Sequence, residues 1–342
     1  MLAILADDLT GSLDSAAPFA ARGMHVEVAL GVSAIAQALD KNPQILSINL
    51  ASREGGADAA RRQIEAAVAA VPAGTRFFKK LDSRLKGHIA AELDAMPFKT
   101  ALVIPAIPAF GRIVKNGCVT GFGVDRPISV AGRLGSHAAR AKIPDISTHD
   151  EMVGSLMQAE ADGIDLLVGA RGLAEALAER MSGNAPSVAA DVPVGPGVFV
   201  IGSRDDITLA QIDVLCRDET IRHLKAPDGR LDGVKADGST LTLVQAVPGE
   251  GNVSSEQVSQ ALAESVCPSL TDGASTILFA GGATAEAILK KMGIAGFRLL
   301  GECLPGLGLA HAQGHCIIAK SGGFGQPDTL KEIAGRMRHK TG

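Results

Sequence analysis

The chain has no tryptophan and no tyrosine, and 10 phenylalanines among 342 residues are its only aromatic rings apart from histidine. That leaves little with which to stack nucleobases. A formal charge of −4 and a pI near 6.1 also remove the basic footprint of a nucleic-acid binder, so no nucleic-acid partner is expected. Long apolar runs are missing too. Stretches such as Leu2 to Ala6 and Ser275 to Ala280 are strand-sized, far short of a membrane span, and no membrane association is expected. The start of the chain has no basic segment followed by an apolar run and a small-residue cleavage site, which makes the cytoplasm the expected compartment. The five cysteines, Cys118, Cys216, Cys267, Cys303 and Cys316, are scattered and form no CxxC; neither a disulfide framework nor a zinc site follows from them. His311 and His315 have no third ligand nearby in sequence, and no metal-ligand set is assigned. Nothing in the composition fixes the oligomeric state, and a homo-oligomer is left open.

What the sequence does carry begins at once. Leu2 to Ala6 is apolar throughout, as a strand covered on both faces must be, and Asp7 and Asp8 fall at its carboxyl end with Asp14 close behind. Ligands of open α/β sheets bind outside that edge. Two adjacent carboxylates are costly to bury alone, so they must meet water, a cation or a hydroxylated ligand. One of them is explained by an N-cap; three are not.

Further apolar runs at Val26 to Leu30, Ile45 to Leu50, Arg76 to Leu81 and Ala101 to Ile104 alternate with helical patterns at Ala57 to Val71 and His88 to Met96. This order predicts a parallel sheet with helices on both faces. From Pro105 to His149 the periodicity fails, and an irregular substrate-side lobe is expected. A Gly- and Pro-rich stretch at 182–197 reads as a linker between an N-terminal domain, 1–181, and a second α/β domain, 198–342. The fold class is thus α/β, with two domains, each a mainly parallel sheet flanked by helices.

Three strand ends of the second domain are Gly-rich: Gly202-Ser203-Arg204, Gly281-Gly282-Ala283-Thr284 and Ser321-Gly322-Gly323-Phe324-Gly325. Glycine there lets backbone amides approach an anion closely, and phosphate is the natural guest. The chain has neither GxxxxGK[ST] nor a GxGxxG opening a βα unit. In the first domain, Lys79 to His88 reads KKLDSRLKGH and mixes the donors Lys79, Lys80, Arg84 and Lys86 with Asp82 and Ser83; Arg53 follows the strand Ile45 to Leu50 at the same predicted edge. Such a mixture suits a polyhydroxy acid.

These segments resemble the four-carbon acid sugar kinases along the whole chain. The likeness includes ADDLTGSLD at Ala6 to Asp14, Ser52-Arg53, KKLDSRLKGH, IPAIPAFGR with NG from Ile104 to Gly117, GSRDDITLAQ at Gly202 to Gln211, AGGATAEAIL at Ala280 to Leu289, GECLPG at Gly301 to Gly306 and AKSGGFG at Ala319 to Gly325. The family's DST-x-RG is here Asp82-Ser83-Arg84-Leu85-Lys86-Gly87, and its GGDTA is Gly281-Gly282-Ala283-Thr284-Ala285. The resemblance implies an acid-sugar domain, a nucleotide domain, a ligand cleft between them, and phosphorylation of threonate, erythronate or 3-oxo-tetronate by ATP with Mg²⁺. It implies a substrate site of Asp7, Asp8, Asp14, Arg53, Lys80, Asp82, Ser83 and Arg84, with Asp8 as the base. The nucleotide is expected at Ser203, Gly281, Gly282, Ala283, Thr284, Gly322 and Gly323. A paralogue that binds without transferring phosphate, or a secreted effector-like interaction protein, is the alternative.

Overall fold

The structure is a computed structural model and describes residues 1–217 and 221–338. The chain divides into two compact units, Met1–Val188 and Ala189–Gly342.

In chain order the first unit comprises β1 (Leu2–Ala6), α1 (Leu9–Ala20), β2 (Val26–Leu30), α2 (Ile35–Leu39), β3 (Ile45–Asn49), α3 (Ala57–Ala70), β4 (Arg76–Lys80), α4 (Ile89–Asp94) and β5 (Ala101–Ile104). Then follow β6 (Arg112–Lys115), β7 (Cys118–Gly121), β8 (Ile128–Ser129), α5 (Val130–Leu134), β9 (Ala141–Lys142), α6 (His149–Ala161), β10 (Leu166–Gly169) and α7 (Arg171–Met181). Its main sheet has the order β2-β3-β1-β4-β10-β5-β9, parallel at every pairing. Every residue of β1 and β3 is buried, which is why β1 reads as a continuous apolar run; β3 also buries Ser47 and Asn49. Strand β1 lies between β3 and β4, with Ala6 beside Asn49 and Leu5 beside Lys79, so the residues after these three strands emerge together at one edge.

The stretch expected to be irregular does lack a long helix, but it builds its own antiparallel sheet, β6-β7-β8. Its short strands, joined at Asn116-Gly117 with both residues at positive φ, carry too few alternating positions to stand out in sequence.

The second unit comprises β11 (Gly197–Ile201), α8 (Asp206–Leu215), β12 (Arg222–Pro227), β13 (Leu241–Val247), α9 (Ser255–Val266), β14 (Thr276–Ala280), α10 (Gly282–Lys291), β15 (Gly296–Leu304), β16 (Leu307–Ala312), β17 (His315–Lys320) and α11 (Thr329–Arg338). The order here is β12-β13-β11-β14-β17-β16-β15, parallel from β12 to β17 and antiparallel beyond. The latter part of the expected linker is built into this unit: the Ala190 amide donates to the Glu302 carbonyl at 2.8 Å, Val192 joins the core, and Gly197 already opens β11. No helix among the described residues is long and apolar enough to cross a membrane.

Candidate active site

Asp7 and Asp8 leave the end of β1. Asp8 takes the N-cap of α1, where Oδ1 accepts from the Gly11 amide at 3.0 Å and Oδ2 from Thr10 Oγ1 at 2.7 Å. Asp7 is 3% exposed and points to the next strand end, that of β3. There Arg53 spans both carboxylates: Nε and Nη2 donate to Asp7, Nη1 and Nη2 to Asp8, all at 2.8–3.0 Å. A planar fork of donors matched to two carboxylates is what this geometry requires, and a lysine would not provide it. Burial would push the Asp7 carboxyl up, but the Arg53 hydrogen bonds and the charges of Lys79, Arg53 and Lys80 hold it below the usual range. Burial likewise works against the Arg53 charge, and Asp7, Asp8 and Asp82 more than restore it.

From the end of β4 come the remaining groups. Lys79 points into the core, 0% exposed, where Nζ meets Glu92 at 3.1 Å and donates to the Lys80 carbonyl at 3.0 Å. Lys80 points the other way, as strand alternation demands, and its ammonium lies against the first turn of α1: a Cβ on Gly11 would come within 2.8 Å of it. Lys80 closes no ion pair among the described residues, although its charge reaches Asp7 and Asp82. Burial raises the Asp82 carboxyl, and Lys80, Arg53 and the amides of Arg84 and Lys86 outweigh it and bring it below the usual range. Gly87, at φ +92°, lets this turn pass Asp7; a Cβ there would lie 2.7 Å from Asp7 Oδ2.

Asp7, Asp8, Arg53, Lys80, Asp82 and Ser83 therefore gather at the carboxyl ends of three adjacent strands. Asp14 does not join them: it lies six residues beyond the cap, about 240° around the helix, and Arg171 Nη1 donates to it at 3.4 Å. Arg84 sits in the turn but is exposed. The residue that sequence reasoning missed is Arg112, at the start of β6. Nη1 donates to Ser83 Oγ at 2.5 Å while Nε and Nη2 hold the Phe122 carbonyl. Burial lowers the Arg112 guanidinium, the Arg84 charge lowers it further, and Asp82 opposes both, so two arginines act on one another beside Ser83. Its signal was present in the IPAIPAFGR segment, but nothing in the spacing says that this segment folds back on Ser83.

The Gly-rich turns of the second unit also converge. The Gly202 and Ser203 amides both donate to the Ala280 carbonyl at 3.1 Å, and a Cβ on Gly202 would lie 2.0 Å from Thr284 Oγ1. A Cβ on Gly322 would lie 2.2 Å from Ser203 Oγ, and one on Gly323 3.2 Å from Asp205 Oδ2. Gly281, at φ +116°, precedes α10 without a side-chain cap, and Ala283 in the first turn of that helix is exposed. Thr284, by contrast, is buried against Ser259. The Gly202, Ser203 and Gly281 amides are spent on backbone carbonyls, while those of Gly322 and Gly323 donate to nothing among the described residues, and free amides at such a turn are suited to phosphate.

Residues 2–203 match the family described as sugar-binding N-terminal domain, and residues 234–330 match nucleotide-binding C-terminal domain. The chain is 26% identical to a D-threonate kinase of Bordetella bronchiseptica over 425 aligned positions, covering 99% of this chain and 98% of that protein. It is 24% identical to a 3-oxo-tetronate kinase of Actinobacillus succinogenes, covering 98% and 99%. A solved structure from Salmonella typhimurium, described as a putative tRNA synthase, superposes with a TM-score of 0.76 at 18% identity over 99% of both chains, a likeness of fold alone. With matched domains of both kinds in order along one chain, this protein belongs to the four-carbon acid sugar kinase family.

Proposed function

We propose that the protein transfers the γ-phosphate of ATP to a hydroxyl of a four-carbon sugar acid such as threonate, erythronate or 3-oxo-tetronate. The observation that carries this reading is the cluster at the ends of β1, β3 and β4, in a chain whose relatives bear the names of threonate and 3-oxo-tetronate kinases.

The arrangement divides the work differently from the sequence expectation. Arg53, expected there among the substrate-binding residues, spends four hydrogen bonds on Asp7 and Asp8. Its task is to fix both carboxylates in place and to help keep the buried Asp7 ionised. The substrate carboxylate then falls to Lys80, Arg84 and Arg112, the cations around Ser83 with no carboxylate bound to them among the described residues. Asp8, Asp82 and Ser83 accept from or donate to the substrate's hydroxyls, and Asp8 is the group we assign to orient the one that attacks. Phosphoryl transfer needs positioning and charge neutralisation more than covalent help. The amides of Gly282, Gly322 and Gly323, with the Ser203 hydroxyl, would hold the phosphates; the Gly281 amide is spent on the Lys320 carbonyl at 3.2 Å. Mg²⁺ in such reactions is carried by phosphate oxygens and one or two carboxylates, and Asp205, turned towards Gly323, is the carboxylate we assign to it.

A coupled ADP-release assay across threonate, erythronate, 3-oxo-tetronate and longer aldonates tests the reading. ADP release dependent on one of these acids supports it. No acid-dependent release, with ADP shown to bind, would favour a protein that holds the acid sugar without transferring phosphate. Arg112→Ala should raise KM for the acid by about tenfold or more, the loss expected when a charged hydrogen bond of about 1.5–3 kcal/mol is removed.

A further inference from the structure

Beneath the third Gly-rich turn lies a lysine that the proposed chemistry does not touch. Lys320 ends β17 with its side chain 0% exposed. Nζ donates to Thr208 Oγ1 on α8 at 2.9 Å, to the Ser321 carbonyl at 3.0 Å and to the Gly322 carbonyl at 3.1 Å. Thr208 Oγ1, also 0% exposed, passes its own hydrogen to the same Gly322 carbonyl at 2.6 Å. An ammonium has three N–H groups, and all three are used here. Farther along the turn, Gln211 Nε2 holds the Phe324 and Gln326 carbonyls at 3.0 and 2.8 Å.

The consequence follows from peptide geometry. These peptide bonds are trans, so each C=O and the following N–H point in opposite directions. Drawing the Ser321 and Gly322 carbonyls inward turns the amides of Gly322 and Gly323 outward, and those amides donate to nothing among the described residues. We propose that Lys320 is a positioning residue of the nucleotide site: from inside the fold it sets two backbone amides to receive the phosphates, without touching the nucleotide itself. This rests on the reading of the second unit as the nucleotide-binding one.

The charge state of Lys320 then governs the turn. Burial pushes its ammonium down to about 8, and Asp205, at the N-cap of α8, is the ionisable group whose charge opposes that shift. A neutral amine has only two N–H groups and a lone pair for three oxygen acceptors, so one carbonyl is released and its partner amide loses its aim. Bound phosphate favours the ammonium, and nucleotide binding should take up a proton in this range.

The test is calorimetric titration of the full chain with ADP and Mg²⁺ from pH 7 to pH 9, in buffers of differing ionisation enthalpy. ADP is about nine-tenths ionised at pH 7 and more so above it, a phosphate monoester titrating near pH 6, so its own ionisation changes little over that range. With the competent ammonium form falling from about nine-tenths to about one-tenth, Kd should rise about tenfold, with proton uptake seen in the buffer dependence. General loosening of the fold cannot imitate this. A lysine with a depressed pKa costs stability below about pH 8 and is relieved as pH rises towards its ordinary 10.5, the opposite sign. Lys320→Met should bind ADP weakly at every pH and lose the pH dependence, with KM for ATP raised more than kcat is lowered. An ADP affinity independent of pH between 7 and 9 in the unaltered protein would overturn the proposal even if the variant failed to fold. Unaltered ADP affinity in a folded Lys320→Met protein would overturn it too. Absence of ADP binding at any pH would instead remove the nucleotide-site reading beneath it.

Discussion

Arg53 shows how a single residue settles what two acids can do. Asp7 and Asp8 are adjacent in sequence, nearly or partly buried, and one guanidinium lies across both. Removing one partner of a buried pair typically costs about 3–5 kcal/mol, because the remaining charge keeps its desolvation penalty without its compensation. Arg53→Ala should therefore lower the melting temperature as well as abolish acid-sugar use, and Arg53→Lys should rescue part of the stability but little of the activity. Far-UV melting with an ADP-release assay separates these outcomes; normal kcat/KM in Arg53→Lys would show that the fork geometry is dispensable. The pH dependence has a definite sign. The carboxyls of Asp7 and Asp82 lie below 3.8 in the folded protein, so their contribution is fully present above pH 4 to 5 and is lost as pH falls through their folded values. Acid titration of the unaltered protein should therefore show destabilisation setting in below pH 4, and an Asp82→Asn variant should show less of it.

Among the elements, α1 shows how function overrides local propensity. Gly11 stands in its first turn, where glycine ordinarily costs a helix about 1 kcal/mol relative to alanine. Here a Cβ would sit 2.5 Å from Asp8 Oδ1 and 2.8 Å from Lys80 Nζ, and the cap and the lysine would both have to yield. Gly11→Ala should fail to stabilise the protein and should raise KM for the acid sugar while leaving ADP binding intact. A stabilised variant with unchanged KM would mean that Lys80 is not held against this turn. The same elements show what the sequence reveals. Strand β1 is legible because burial on both faces leaves a continuous apolar run, β3 and β4 because their apolar residues stand between helical patterns, and the residues after all three could be placed at one edge without knowing the register. Asp14 was grouped with the cluster on closeness in sequence and instead meets Arg171, since a helix turns its side chains away within a few residues. Arg112 escaped because β6 to β8 reach the cluster through tertiary folding that no local period encodes. The antiparallel pairing of β15 with β16 was equally hidden, since β15 breaks register between Leu299 and Gly301 and again between Glu302 and Leu304. The linker was read from its Gly and Pro content, a signal that marks irregular backbone but not whether it is built into a core.

For the whole molecule, the residues proposed for the acid and those proposed for the nucleotide belong to different units, and this makes the proposed reaction separable by mutation. Arg112→Ala should weaken acid-sugar use and leave ADP titration as in the unaltered protein, because Arg112 and its partners Ser83 and Phe122 belong to the first unit. Gly322→Ala should do the reverse. A Cβ there meets Ser203 Oγ at 2.2 Å and Ser203 Cβ at 3.2 Å, so the third Gly-rich turn must move away from the first and its amides lose their aim. The expected result is ADP binding reduced by about tenfold or more, the effect of about 1.4 kcal/mol, with thermal stabilisation by the acid sugar unchanged. Stabilisation by a saturating ligand is large enough to follow in a melting curve, about 2.7 kcal/mol at 100 times Kd. Should Gly322→Ala abolish stabilisation by the acid sugar as well, the two ligands would not be held by separate groups, and the assignment of phosphate to the Gly-rich turns would have to be abandoned.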